Sequence, residues 1–168
     1  MQMPPADAGG PGADRLAQVV FALLVLACFA AFIITQRLKH TPTPLQHFQL
    51  TPRFSPTPQG HIKQERISFK LTRADAVTVT VLDAAGDTVA TLVRARPVAR
   101  YKQISLRWNG RRGTPHGNTV AVAADGTTIV TPDNTGALAP AGEYRVHVSL
   151  RAQHRTVPGP RAFTLVRP

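Results

Sequence analysis

Cysteine is almost missing from this 168-residue chain. Its one copy, Cys28, excludes an intramolecular disulfide and any cysteine-built metal site. A domain made from such a chain must hold together by burial and backbone pairing alone. That economy suits the cytoplasm and many bacterial exteriors equally, so it leaves the compartment open. Acids are scarce too: 9 Asp and Glu face 20 Lys and Arg, giving a formal charge of +11. Such a field favours anionic partners, whether phospholipid headgroups, acidic cell-wall polymers or nucleic acid. The machinery of catalysis is equally thin. Histidines 40, 47, 61, 116, 147 and 154 are scattered, no His-x-x-x-His lies on a helix, and no glycine-rich phosphate loop occurs. His147, between Val146 and Val148 in a strand pattern, reads as an outward-facing histidine. The expectation is a non-enzymatic chain with no catalytic residue, metal or cofactor.

The longest uninterrupted feature is apolar. Between Arg15 and Arg37 lie 21 residues without a charge, and the polar ones, Gln18, Thr35 and Gln36, sit near the ends. As a helix this stretch is ~30 Å long, the thickness of a bilayer's hydrocarbon core. It is apolar on every face, unlike a helix that lies in an interface. A cleaved signal has a shorter apolar region and a small-residue cleavage site, which Thr35-Gln36-Arg37-Leu38 does not offer. Val25-Leu26-Ala27-Cys28 hints at lipidation, but Phe29 to Ile34 prolong the apolar run where a lipidated mature terminus turns polar. Residues 16–36 are therefore expected to be an uncleaved transmembrane helix. Arg15 on one side and Arg37 and Lys39 on the other nearly balance, so positive charge does not choose an orientation.

Either side of that helix the composition changes. Residues 1–15, rich in Pro, Gly and Ala, read as a disordered tail. Residues 37–44 read as a proline-containing linker, with an edge strand over about 46–50. From Glu65 onward apolar residues alternate with polar ones. Ile67, Phe69 and Leu71 form one set, Val77, Val79 and Val81 the next, followed by Ile104, Leu106 and Trp108. Asp83-Ala84-Ala85-Gly86 supplies a turn, and Asp125-Gly126 between two apolar runs predicts a two-residue hairpin. Tyr144, Val146, Val148 and Leu150 alternate again before Phe163 and Leu165. Seven or eight short strands without helical periodicity predict an all-β, antiparallel sandwich of immunoglobulin size over residues 45–168. Trp108 and Tyr144 fall on the apolar side of their strands and are expected in its core.

Four blocks in this stretch resemble one family, the Ig-like domain of the flagellar hook-capping protein FlgD. Phe54-Ser55-Pro56-Thr57-Pro58-Gln59-Gly60 is similar to its opening loop. Ile67 to Leu71 with Val77 to Gly86 resembles its first hairpin. Leu106-Arg107-Trp108-Asn109-Gly110-Arg111 and Pro140-Ala141-Gly142-Glu143-Tyr144 resemble its Trp and Pro-Ala-Gly-x-Tyr blocks. Two departures stand out. The opening loop has Gln59 and His61 in place of an acid, and residues 113–138 look like an insertion. The resemblance implies a structural or adhesive module displayed outside the cytoplasm; with the apolar helix as its membrane anchor and its basic charge, the expected partner is a protein or an anionic envelope polymer. A membrane-anchored cytoplasmic domain that binds nucleic acid or anionic lipid is the alternative. Gly110-Arg111-Arg112-Gly113 is basic and flexible, which makes Arg111 and Arg112 the candidate anion contacts.

Overall fold

A computed structural model describes residues 11–39 and 43–167. Residues 1–10 of the tail expected over 1–15 and residues 40–42 of the expected linker lie outside the described residues. Two compact units result, divided in the chain between Pro42 and Thr43.

The first unit is one α-helix, α1 (Pro11–Lys39). It begins earlier than the boundary expected at residue 16, so Pro11 to Arg15 are helical rather than part of a disordered tail. Proline is well tolerated in the first turn, where its missing N–H has no helical partner. Within α1, Ala17–Gln36 is long and apolar enough to cross a membrane, and none of it is buried inside the protein. Phe21, Leu26, Phe29 and Ile34 are all exposed. Near its end the Thr35 hydroxyl donates back to the Ala31 carbonyl, satisfying the polar group within the helix.

The second unit is mostly β-strand, in two five-stranded sheets. One sheet holds, in spatial order, β1 (Leu45–Leu50), β3 (Glu65–Leu71), β6 (Gln103–Trp108), β8 (Thr128–Pro132) and β7 (Asn118–Val122). The other holds β2 (Arg53–Phe54), β10 (Arg155–Leu165), β9 (Gly142–Leu150), β4 (Asp75–Leu82) and β5 (Thr88–Val98). The chain enters at Thr43 without a long spacer. Pro44, expected in the linker, is already buried, and its carbonyl accepts from the Thr72 amide and hydroxyl.

The alternating residues named above are the buried ones, contributed by both sheets to one core. β1 is an edge strand, as expected, but it departs from simple alternation. A register break between Gln46 and Gln49, with His47 at φ 51°, rotates Phe48 inward beside Phe69. The expectation of an antiparallel sandwich needs correcting. β6 pairs with β8 in parallel, and so does β10 with β2. Local alternation reports which face of a strand is buried and is silent about the direction of its neighbour. The Asp125 hairpin also differs. Gly126 N–H donates to the Ala123 carbonyl, Ala123 N–H donates to the Thr127 carbonyl, and Gly126 has φ 77°. That is a three-residue loop with a left-handed glycine, and the Asp83–Asp87 turn repeats it.

Trp108 is completely buried, with ring centroids of Phe54, Tyr144 and Phe163 at 5.7, 5.7 and 6.0 Å. All three partners come from the opposite sheet, so this one indole joins the layers. Its Nε1–H donates to the Arg111 carbonyl at 2.8 Å, and the Tyr144 hydroxyl donates to the Pro140 carbonyl at 2.7 Å. Each buried polar tip is thus satisfied. Asn134 spans further chain, donating to the carbonyls of Thr91 and Gly113. Asp75 accepts from Ala76, Ala152 and Gln153. Burial works to raise its pKa, but those hydrogen bonds together outweigh it and hold the carboxyl below its ordinary value.

Trp108→Ala is expected to lower unfolding stability by ~3–5 kcal/mol in a denaturant titration, because the cavity opens between both layers. Tyr144→Phe keeps the ring and loses one hydrogen bond, so a loss of only ~1 kcal/mol is expected. An equal loss from both would contradict this division of roles.

Candidate functional site

The chain crosses from one sheet to the other at Thr51, between β1 and β2. Its amide donates to the Arg66 carbonyl at 3.2 Å and to Glu65 Oε1 at 2.8 Å, while its hydroxyl accepts from the Arg66 amide. The loop that follows β2 is tied back by a Ser55 amide to Ile62 carbonyl bond of 2.8 Å and a Gly60 amide to Thr57 carbonyl bond of 3.0 Å. Glycine is required at 60, because a β-carbon there would collide with the Ser55 carbonyl. The proline-rich opening loop therefore has a defined shape, and it walls two clefts.

One cleft, of about 560 Å³, is lined by Thr51, His61, Ile62, Lys63, Gln64, Arg66 and Arg107. Arg66 on β3 and Arg107 on β6 are direct cross-strand partners on the outer face of the sheet. Like charges so placed repel, with β-carbons only ~5 Å apart. Neither arginine nor Lys63 has an ion pair among the described residues, where the one salt bridge is the exposed Arg145–Glu143 contact. The second cleft, about 320 Å³, adjoins the first through His61 and Ile62. Arg53, Ser55, Gln59, Gly60 and Val166 also line it, and the surface they offer to solvent is mostly apolar.

Behind the basic cleft lies Glu65, which is fully buried on the inner face opposite Trp108. Its Oε2 has no hydrogen-bond partner. Burial pushes its pKa up to about 8, against the smaller opposing effect of the Thr51 amide. Glu65 is accordingly a neutral acid at pH 7 and gives Arg66 and Arg107 no negative charge to balance them. Two turn acids serve backbone geometry. Asp83 accepts from the amides of Ala85 and Asp87, and Asp125 from the amide and hydroxyl of Thr127.

The residues singled out in the sequence lie elsewhere. Arg111 and Arg112 are both exposed, and neither lines the two clefts. The Arg111 guanidinium donates to the Gly136 carbonyl at 3.1 Å, and its amide donates to Asn109 Oδ1. Gly110, at φ 79°, makes the turn that brings the Arg111 carbonyl under Trp108. His147 is half-buried opposite Thr80, between the inward-facing Val146 and Val148. Arg66, Arg107 and Lys63 were visible in the sequence only as three of many dispersed cations. The period-two pattern puts Arg66 and Arg107 on outer faces, but nothing local makes β3 and β6 neighbours. Against family models, curated proteins and solved structures, the chain matches none.

Glu65 makes stability depend on pH in a defined direction. Between its ordinary pKa of 4.5 and about 8 the folded state keeps a proton that the unfolded chain releases. Stability therefore falls as pH rises through that window, by up to ~1.4 kcal/mol per pH unit, and levels off above it. Glu65→Gln is expected to remove this slope. The check is the difference in unfolding free energy between wild type and variant from pH 5 to 9. A difference that stays constant would mean that Glu65 is not held neutral.

Proposed function

We propose that this chain is a single-pass membrane protein that presents an Ig-like β-sandwich outside the cytoplasm and acts by binding an anionic partner rather than by catalysis. The observation that carries the reading is an apolar helix, none of it buried inside the protein, in one chain with a domain whose cations form a single ion pair among the described residues. An integral helix fixes the domain at a membrane, and a basic surface favours a negatively charged partner.

Strand order supports the Ig-like part. β2-β10-β9-β4-β5 corresponds to an Ig sheet in which a short first strand runs beside the last, and β1-β3-β6 to the opposing sheet. The first strand divides at Thr51 and contributes to both. Tyr144, near the start of β9, donates to a carbonyl four residues upstream, as in the tyrosine corner of such domains. The β7–β8 hairpin sits at the edge of β6, which suits an insertion between the Trp108 and Tyr144 blocks. These features, with the four sequence blocks, are the grounds for placing the domain near the FlgD-type Ig-like family. A protein or an anionic envelope polymer is the partner class that fits.

Protease added to intact cells is expected to remove the domain, and purified full-length protein is expected to bind long-chain polyphosphate with strong salt dependence. Protection from protease would instead favour the second reading, a cytoplasmic basic domain that binds nucleic acid or anionic lipid.

A further inference from the structure

We propose that the two adjoining clefts form one binding site for an amphipathic phosphate ester, with the phosphate held between Lys63, Arg66 and Arg107 and the apolar body lying over Ile62 against Val166. This assignment rests on the anion-binding reading above and locates it.

The basic half is unusual in what it leaves unsatisfied. Arg66 and Arg107 stand opposite each other across two strands, and no acid lines their cleft. Three cations around one cavity exceed what a single carboxylate can neutralise. A phosphate monoester matches them better, with nearly two charges and three acceptor oxygens, and guanidinium groups bind it in bidentate fashion. Thr51 and Gln64, on the same wall, add neutral hydrogen-bonding groups. The buried neutral Glu65 behind this wall preserves its positive potential at pH 7.

The apolar half explains the size. The basic cleft alone, at about 560 Å³, exceeds what a bare phosphate fills, and its neighbour adds about 320 Å³ with a mostly apolar surface. Ile62, on the wall common to both, is 50% exposed and offers its side chain to whatever occupies either half. The Gly60 turn, closed by the Gly60 amide to Thr57 carbonyl and Ser55 amide to Ile62 carbonyl bonds, holds this wall in place. A ligand with an apolar body attached to its phosphate spans both halves.

The test uses the full-length chain in phosphatidylcholine nanodiscs, titrated with inorganic phosphate and with hexyl phosphate. Hexyl phosphate is expected to bind ~10-fold more tightly, corresponding to about two buried methylenes. The Arg66→Ala/Arg107→Ala pair is expected to abolish both interactions without lowering the melting temperature, since it relieves a like-charge contact. Ile62→Ser is expected to erase the advantage of hexyl phosphate and leave inorganic phosphate binding intact. Arg94→Ala/Arg151→Ala removes the same charge elsewhere and is expected to change neither. Equal losses in both double variants would overturn the site in favour of diffuse charge. Vesicles containing phosphatidic acid identify the source: capture that depends on Arg66 and Arg107 marks a lipid headgroup, and hexyl phosphate binding without capture marks a soluble ester. If polyphosphate binding persists while hexyl phosphate never binds, the cleft assignment falls and the anion-binding reading stands. Loss of both defeats both.

Discussion

Everything in the β domain depends on one indole being dry. Trp108 lies in the sheet formed around β3 and β6, yet its three ring neighbours, Phe54, Tyr144 and Phe163, belong to the opposing sheet. Without a disulfide, this aromatic cluster is the main cross-layer contact of large side chains, surrounded by Val, Leu and Ile from both faces. Two polar tips could have spoiled it. Each is met by a backbone carbonyl that a tight turn brings within reach, at Arg111 and at Pro140. The Asn109-Gly110 turn and the Pro140-Ala141-Gly142 segment therefore serve the core as much as they connect strands.

The same geometry creates the basic site. Phe54 reaches the indole because the chain changes sheets at Thr51, and that crossing exposes a proline-rich loop which must fold back on itself. The loop walls both clefts, while Thr51, whose amide and hydroxyl are used by Arg66 and Glu65, joins them to β3. Glu65 stands directly across from Trp108 with one oxygen unpartnered. A neutral carboxylic acid there is tolerable in a core that could not hold its anion. Its outward neighbour Arg66 then faces Arg107 with no nearby negative charge. Core and surface are coupled by the strand's alternation: what goes inward as an uncharged acid leaves two arginines outward and uncompensated.

Much of the architecture was legible beforehand because burial in a sheet repeats every two residues. Ile67, Phe69, Val77, Val79, Leu106, Trp108, Tyr144 and Val146 declared themselves by alternation and are all in the core. The apolar helix was equally clear, since a run of some twenty uncharged residues needs no tertiary information to be recognised. Less visible were the features set by neighbours distant in sequence: the two parallel pairings, the bulge at His47 that turns Phe48 inward, and the third residue of each hairpin loop. The candidate site shows the same division. Arg111 and Arg112 stand out in the sequence because they are adjacent between two glycines, yet the segment is tied to its neighbours by backbone hydrogen bonds and the Arg111 guanidinium is engaged with the Gly136 carbonyl.

By itself, then, the sequence determined which residues leave water. It specified a helix apolar on all sides and a set of strands with one apolar face each, because those signals are local and periodic. Tertiary structure alone decided which charges meet. Arg66 and Arg107 are 41 positions apart, and they become partners only because hydrogen bonding aligns β3 with β6 in a particular register. A shift of one residue in that register would place each arginine opposite an inward-facing neighbour of the other and dissolve the cluster.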